Sequence, residues 1–125
     1  MANDVKKLPD GELEVMQVVW DLEPPVERAQ IEARLRESRP IASTTVLTML
    51  SRLAERGFLK IEKAGRGNAY VPLVTRKDYL ASQSRRFIDK LCGGSLAAFA
   101  AALCDSGLSR EDIDELRSLL ERDEL

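Results

Sequence analysis

The sequence predicts a mainly α-helical fold with one small β-hairpin, an α+β class. Three observations carry that expectation. Apolar residues recur at helical spacing in three segments before Gly57, the period drops to two between Phe58 and Val74, and helical spacing then returns.

The first predicted helix spans Leu8 to Leu22. Pro9 and Asp10 suit its first turn, Leu13, Met16 and Trp20 recur at helical spacing, and Val15 and Val19 widen the apolar face. Pro24-Pro25 stops it. A thinner amphipathic helix follows from about Arg28 to Ser38, with Ile31 and Leu35 one turn apart, and Arg39-Pro40 breaks the chain again. The third helix starts near Ala42 and runs to Glu55 or Arg56, with Gly57 in the stop position. Val46, Met49, Leu50 and Leu53 give it one core face. The other side carries Ser43, Thr44, Thr48, Ser51 and Arg52, hydroxyls and an arginine where an ordinary surface helix mixes Glu and Lys.

Phe58 to Lys63 alternates at Leu59 and Ile61 and is expected as a strand. Ala64 to Asn68 forms a loop with two glycines and a basic tip. Ala69 to Val74 is the return strand, with Pro72 confined to an edge or a strand end. Three helices followed by a hairpin is the order of a winged helix-turn-helix.

Thr75-Arg76-Lys77-Asp78 is a capping-box pattern that opens a fourth helix, with Tyr79, Leu80, Phe87, Ile88 and Leu91 as its apolar stripe and Gly93-Gly94 as its end. Ser95 to Cys104 is apolar nearly all round, so this helix is expected to be buried. Ser109 and Asp112 then cap a last helix bearing Ile113, Leu116, Leu119 and Leu120 on one side, with Leu108 and Ile113 spaced as a hydrophobic staple. The expected division is a winged-helix DNA-binding domain over residues 1–75 and a helical dimerisation region over 76–125.

The net charge of -2 hides a pattern. Residues 1–38 carry a net of -4, residues 39–90 a net of +7, and residues 91–125 a net of -5. A basic block between acidic ones suits an anionic partner, of which a phosphate backbone is the commonest. Histidine is absent, which removes His-based acid–base, triad and metal arrangements, and no motif pairs a nucleophile with a base. An enzyme is not expected, nor is any cofactor or metal. Cys92 and Cys104 fit neither a redox pair nor a zinc set. They are expected as reduced, buried small hydrophobes, although Arg85, Arg86 and Lys90 near Cys92 leave a redox role open. Without a signal peptide or a long apolar span, the expected compartment is the cytoplasm, with no membrane association.

A helix presented to the major groove must be held by its core face while its other face offers side chains of suitable reach. Thr44, Thr48 and Arg52 are candidates for base or phosphate contact. Ser43 and Thr45 are candidates too, although capping of the helix start is the readier role for Ser43. Leu47 either touches a thymine methyl or completes a wide buried face. In the hairpin, Lys63, Arg66 and Asn68 suit a wing straddling the DNA backbone. The tail is best explained as an interface, since a single winged domain this small cannot cover it. Phe87, Leu91, Leu96, Phe99, Leu103, Ile113, Leu116 and Leu120 are the expected homodimer residues.

The segment Thr44-Thr45-Val46-Leu47-Thr48-Met49-Leu50-Ser51-Arg52-Leu53 is similar to that of the penicillinase-repressor family. So are Glu12-Leu13-Glu14-Val15-Met16 through Trp20, Glu55-Arg56-Gly57, Gly65-Arg66-Gly67-Asn68-Ala69-Tyr70, Phe87 through Gly94, and Ile113-Asp114-Glu115-Leu116-Arg117. The resemblance implies a homodimeric repressor on an inverted-repeat operator of double-stranded DNA. In members governing β-lactam resistance it also implies a membrane sensor protease that cuts within the dimerisation region. That region maps to Phe99–Cys104, which here is Ala-rich and lacks the Asn-Phe pair associated with the cut. The copper-responsive branch carries a C-terminal cysteine cluster that this sequence lacks. Thr44 and Leu47 stand where some members have long basic residues. Two other readings of the residues are a winged helix used for protein–protein contact and a small-molecule-sensing winged-helix regulator. Steep salt dependence of binding separates DNA from protein as the partner.

Overall fold

The computed structural model describes residues 5–122. The chain divides into two compact units, Met1–Gln83 and Ser84–Leu125. In the first, the described elements are α1 (Asp10–Asp21), β1 (Val26–Glu27), α2 (Arg28–Arg36), α3 (Ser43–Glu55), β2 (Leu59–Ala64), β3 (Gly67–Pro72) and the opening turns of α4 (Arg76–Arg86). This is a winged helix-turn-helix. The strands form an antiparallel sheet in the order β1-β3-β2, with Tyr70 of β3 opposite Val26 on one side and Ile61 on the other.

The core is aliphatic, as scarce aromatics require. Val15, Met16 and Val19 of α1, Ile31 and Leu35 of α2, and Val46, Leu50 and Leu53 of α3 are buried together with Phe58, Leu59 and Tyr70. Met49 is only half-buried, because its side chain lies against Gly11 of α1. A Cβ placed there would sit 2.9 Å from Met49 Cε, so the glycine permits the close approach of α1 to α3. The Phe58 N–H bonds to the Leu53 carbonyl past Gly57, which adopts φ 83° and ends α3 as expected. Tyr79 and Ser82 of α4 also belong to this core. The Tyr79 hydroxyl accepts from the Leu8 N–H at 2.9 Å, and Ser82 Oγ accepts from the Val5 N–H at 3.1 Å.

The hairpin differs from the expected boundaries. Lys63 pairs with Asn68 and Ala64 with Gly67, so only Gly65 and Arg66 remain in the turn, with Gly65 at φ 61°. Pairing extends β2 and starts β3 earlier, and Phe58 stays outside β2 with its carbonyl accepting from Leu73 and Val74. Pro72 closes β3, where a strand tolerates proline. Ile61 is exposed despite its alternating position, because the wing runs out beyond the core. β1 was not anticipated: two residues are too few to show a period.

In the second unit, α4 ends and Phe87–Leu91 form one wider π turn closed by the Cys92 N–H on the Phe87 carbonyl. Gly93 and Gly94, at φ 60° and 81°, break the chain before α5 (Leu96–Asp105), and α6 (Arg110–Arg122) follows. Ser95 Oγ caps α5 by accepting from the Ala98 N–H at 3.0 Å. Ser109 and Asp112 exchange hydrogen bonds as the predicted capping box of α6. Phe87 and Phe99 meet edge to face with ring centroids 5.7 Å apart.

The expected burial of α5 is not met within one chain. No residue of α5 or α6 is buried, and Leu91 and Leu96 are 75% and 67% exposed. Phe87 and Leu120 are exposed, while Phe99, Leu103, Ile113 and Leu116 are half-buried. Cys92 is half-buried and Cys104 exposed, both as free thiols, so neither is the buried hydrophobe expected. Two helices and a turn have too little volume to enclose their own apolar side chains. No single helix among the described residues is long and apolar enough to cross a membrane.

Candidate nucleic-acid interface

Burial of Val46, Leu50 and Leu53 fixes the rotation of α3 and leaves Thr44, Thr48 and Arg52 exposed on the opposite side, while Thr45 is exposed on the flank and Ser43 is exposed at the start of the helix on the side of Leu50. Thr44, Thr45, Thr48, Met49 and Arg52 line a shallow concavity of about 210 Å³. Thr48 Oγ1 donates to the Thr44 carbonyl at 2.9 Å, which leaves its lone pairs as acceptors toward solvent.

Ser43 does not cap. Ala42 occupies the cap position, and Ser43, the first residue of α3, donates its hydroxyl to Glu32 Oε1 at 2.8 Å. Thr45 lies inside α3 and is exposed. Leu47 is half-buried and outside the core cluster. It lines an open groove of about 480 Å³ with Glu27, Arg28 and Glu32 of the α2 side and Arg66, Asn68 and Tyr70 of the hairpin. The sequence thus located both walls of this groove, but not the residues of α2 between them. Their signal was the spacing of Arg28 and Glu32, an acid four residues after a base on one helix face.

Charge is distributed unevenly over the first unit. Arg34 and Arg76 pair with Asp21, Arg39 with Glu14 at 2.6 Å, and Arg56 with the buried Glu12 at 2.6 Å. Arg52, Lys63 and Arg66 have no ion-pair partner among the described residues. Arg52 of α3 and Lys63 and Arg66 of the hairpin are therefore free for an external anion, whereas Lys60 of β2 pairs with Glu62 at 3.7 Å. Burial pushes the Tyr70 phenol above its ordinary range, against the opposing pull of Arg28 and a hydrogen bond with Asn68, while Glu32 adds to the rise. The phenol stays protonated at neutral pH and is a hydrogen-bonding group only. No cluster of three or more His, Cys, Asp or Glu suited to a metal occurs among the described residues.

The sequence pattern of the penicillinase repressor family matches residues 8–122. An uncharacterized 16.5 kDa protein of Latilactobacillus sakei is 34% identical over 96% of this chain and 82% of its own length. The penicillinase repressor of Bacillus licheniformis is 32% identical over 94% of each chain. A solution structure of the Bacillus licheniformis BlaI monomeric form in complex with the blaP half-operator is similar over 60% of this chain and 90% of that one, with a TM-score of 0.50 and 32% identity. A pattern that runs through both units, with a relative alike over nearly all of its length, makes this chain a member of the penicillinase repressor family, whose members are DNA-binding transcriptional repressors and not enzymes.

Proposed function

We propose that this chain is a sequence-specific repressor acting as a homodimer on an inverted-repeat DNA operator. The observation that carries the reading is the exposed face of α3, held from behind by three buried aliphatic residues and flanked by a hairpin whose Lys63 and Arg66 have no ion-pair partner among the described residues. In this reading Thr44, Thr48 and Arg52 meet base edges or phosphates in the major groove, Leu47 faces the same groove, and Lys63, Arg66 and Asn68 track the backbone. Residues 76–125 serve as the dimerisation region, with Leu91, Leu96 and Leu120 covered by the second copy. Support for two half-sites comes from the similar Bacillus chain, whose monomeric form is complexed with a half-operator. Induction by a sensor protease is not part of the reading, because Phe99–Cys104 is Ala-rich.

Footprinting on the DNA upstream of the chain's own gene, beside random DNA at two salt concentrations, tests the proposal. A protected inverted repeat is expected, and no binding in either salt would favour a protein partner. Thr48→Ala is expected to lose about 1–3 kcal/mol of binding to that repeat while leaving random DNA untouched. An unchanged affinity would take Thr48 out of base recognition. Arg66→Ala is expected to weaken binding to all sequences alike and to flatten the salt slope by about one. A sequence-selective loss would contradict a phosphate role.

A further inference from the structure

The groove between α2, α3 and the hairpin contains a buried carboxylate. Glu32 is 8% exposed; its Oε1 accepts from Ser43 Oγ at 2.8 Å, and its Oε2 lies 3.0 Å from Arg28 Nε. That Oε2 accepts no hydrogen bond of good geometry among the described residues. The arginine of this pair is half exposed, where an ion pair adds little to stability, so folding alone does not call for a charge here. What the carboxylate achieves is geometric. One oxygen is fastened to the first residue of α3, and the other holds a guanidinium whose side chain is 48% exposed. No hydrogen bond engages the terminal nitrogens of Arg28 among the described residues. Arg66 lines the same groove from the hairpin side.

We propose that Arg28 is a DNA-phosphate contact of this interface and that Glu32 is its positioning residue, tying it to the first turn of α3. The proposal rests on the reading of α3 and the hairpin as the DNA-binding surface. A phosphate entering the groove meets one guanidinium from α2 and one from the wing, each able to give two charge-assisted hydrogen bonds. Because Glu32 also holds Ser43, the distance from this phosphate contact to the base-facing side chains of α3 is set by one side chain.

The test is the affinity for a short random-sequence duplex as a function of salt. It compares the wild type, Arg28→Gln, Arg28→Lys, Glu32→Gln, the Arg28→Gln/Glu32→Gln double variant and Arg66→Ala, each first checked for folding by thermal melting. Arg28→Gln removes the charge while leaving a polar side chain beside Glu32 and is expected to flatten the salt slope by about one. The fall in affinity between about 50 and 200 mM salt then shrinks by about 3- to 4-fold. Arg28→Lys is expected to restore the slope, since a point charge suffices to displace a counterion. Glu32→Gln is expected to weaken binding beside Arg28 and to add nothing beside Gln at that position. An unchanged slope in Arg28→Gln, with Arg66→Ala flattened, would overturn the proposal and leave the interface standing. An equal loss from Glu32→Gln in both backgrounds would overturn the positioning role. A wild type with no salt-dependent duplex binding would remove both the proposal and the reading beneath it.

Discussion

Leu50→Ala is expected to destabilise the first unit by about 2–5 kcal/mol, the range for removing a fully buried leucine and leaving a cavity. Leu50 has no exposed surface and belongs to the cluster in which α1, α2 and β2 meet α3. Domains of this size have only about 5–15 kcal/mol in total, so the loss is a large share of the whole. At about 4–8 °C per kcal/mol, the melting temperature should fall by at least 8 °C. Circular dichroism against temperature reads the effect, and Leu50→Met, which nearly conserves volume, should lose less than about 1.5 kcal/mol. A loss under about 1 kcal/mol in Leu50→Ala would mean that α3 is not anchored by this face. DNA binding should fall with the unfolded fraction and no faster, because Leu50 acts only by holding α3.

If the chain pairs as proposed, Leu96→Asp is expected to separate the two copies without harming the protomer. In one chain Leu96 is 67% exposed, so an aspartate there should change protomer stability by no more than about 0.5 kcal/mol. Across a two-fold interface the same substitution buries two unpaired charges, one from each copy. Sedimentation equilibrium should therefore report a monomer for the variant and a dimer for the wild type, and a monomeric wild type would overturn the proposed pairing. Operator affinity should fall by about 10²- to 10⁴-fold as the gain from linked half-sites disappears, while binding to an isolated half-site stays the same. A variant that remains dimeric would locate the pairing surface away from the start of α5.

The features legible in the sequence are those with a local cause. The core face of α3 followed from Val46, Leu50 and Leu53 at helical spacing, and the exposed hydroxyls and Arg52 followed as the residues left over. The cap at Ser109 and the stop at Gly57 were readable because each motif closes within a few residues. The wing was visible as a change of period, but its turn proved tighter than the glycines suggested. Pairing between Ala64 and Gly67 depends on the register of two strands and not on composition.

Other features had no local signal. β1 is two residues long, and it exists because Tyr70 and Ala69 offer a free sheet edge to Val26 and Glu27. Ser43 looked like a cap because serine favours that role, yet a buried acceptor one helix away captured its hydroxyl. Met49 fell on the predicted core face but ended half-buried, since Gly11 brings α1 close and turns the longer side chain to the rim of the core. The sequence by itself determined the class, the order of elements and the face of α3 that meets the outside. These follow from hydrophobic period, backbone stereochemistry and helix caps, which act over one or two turns. Only the tertiary structure decided the third strand, the groove between α2 and the wing, and the link from Glu32 to Ser43. Those depend on which distant residues are brought within hydrogen-bonding reach, a choice made by packing.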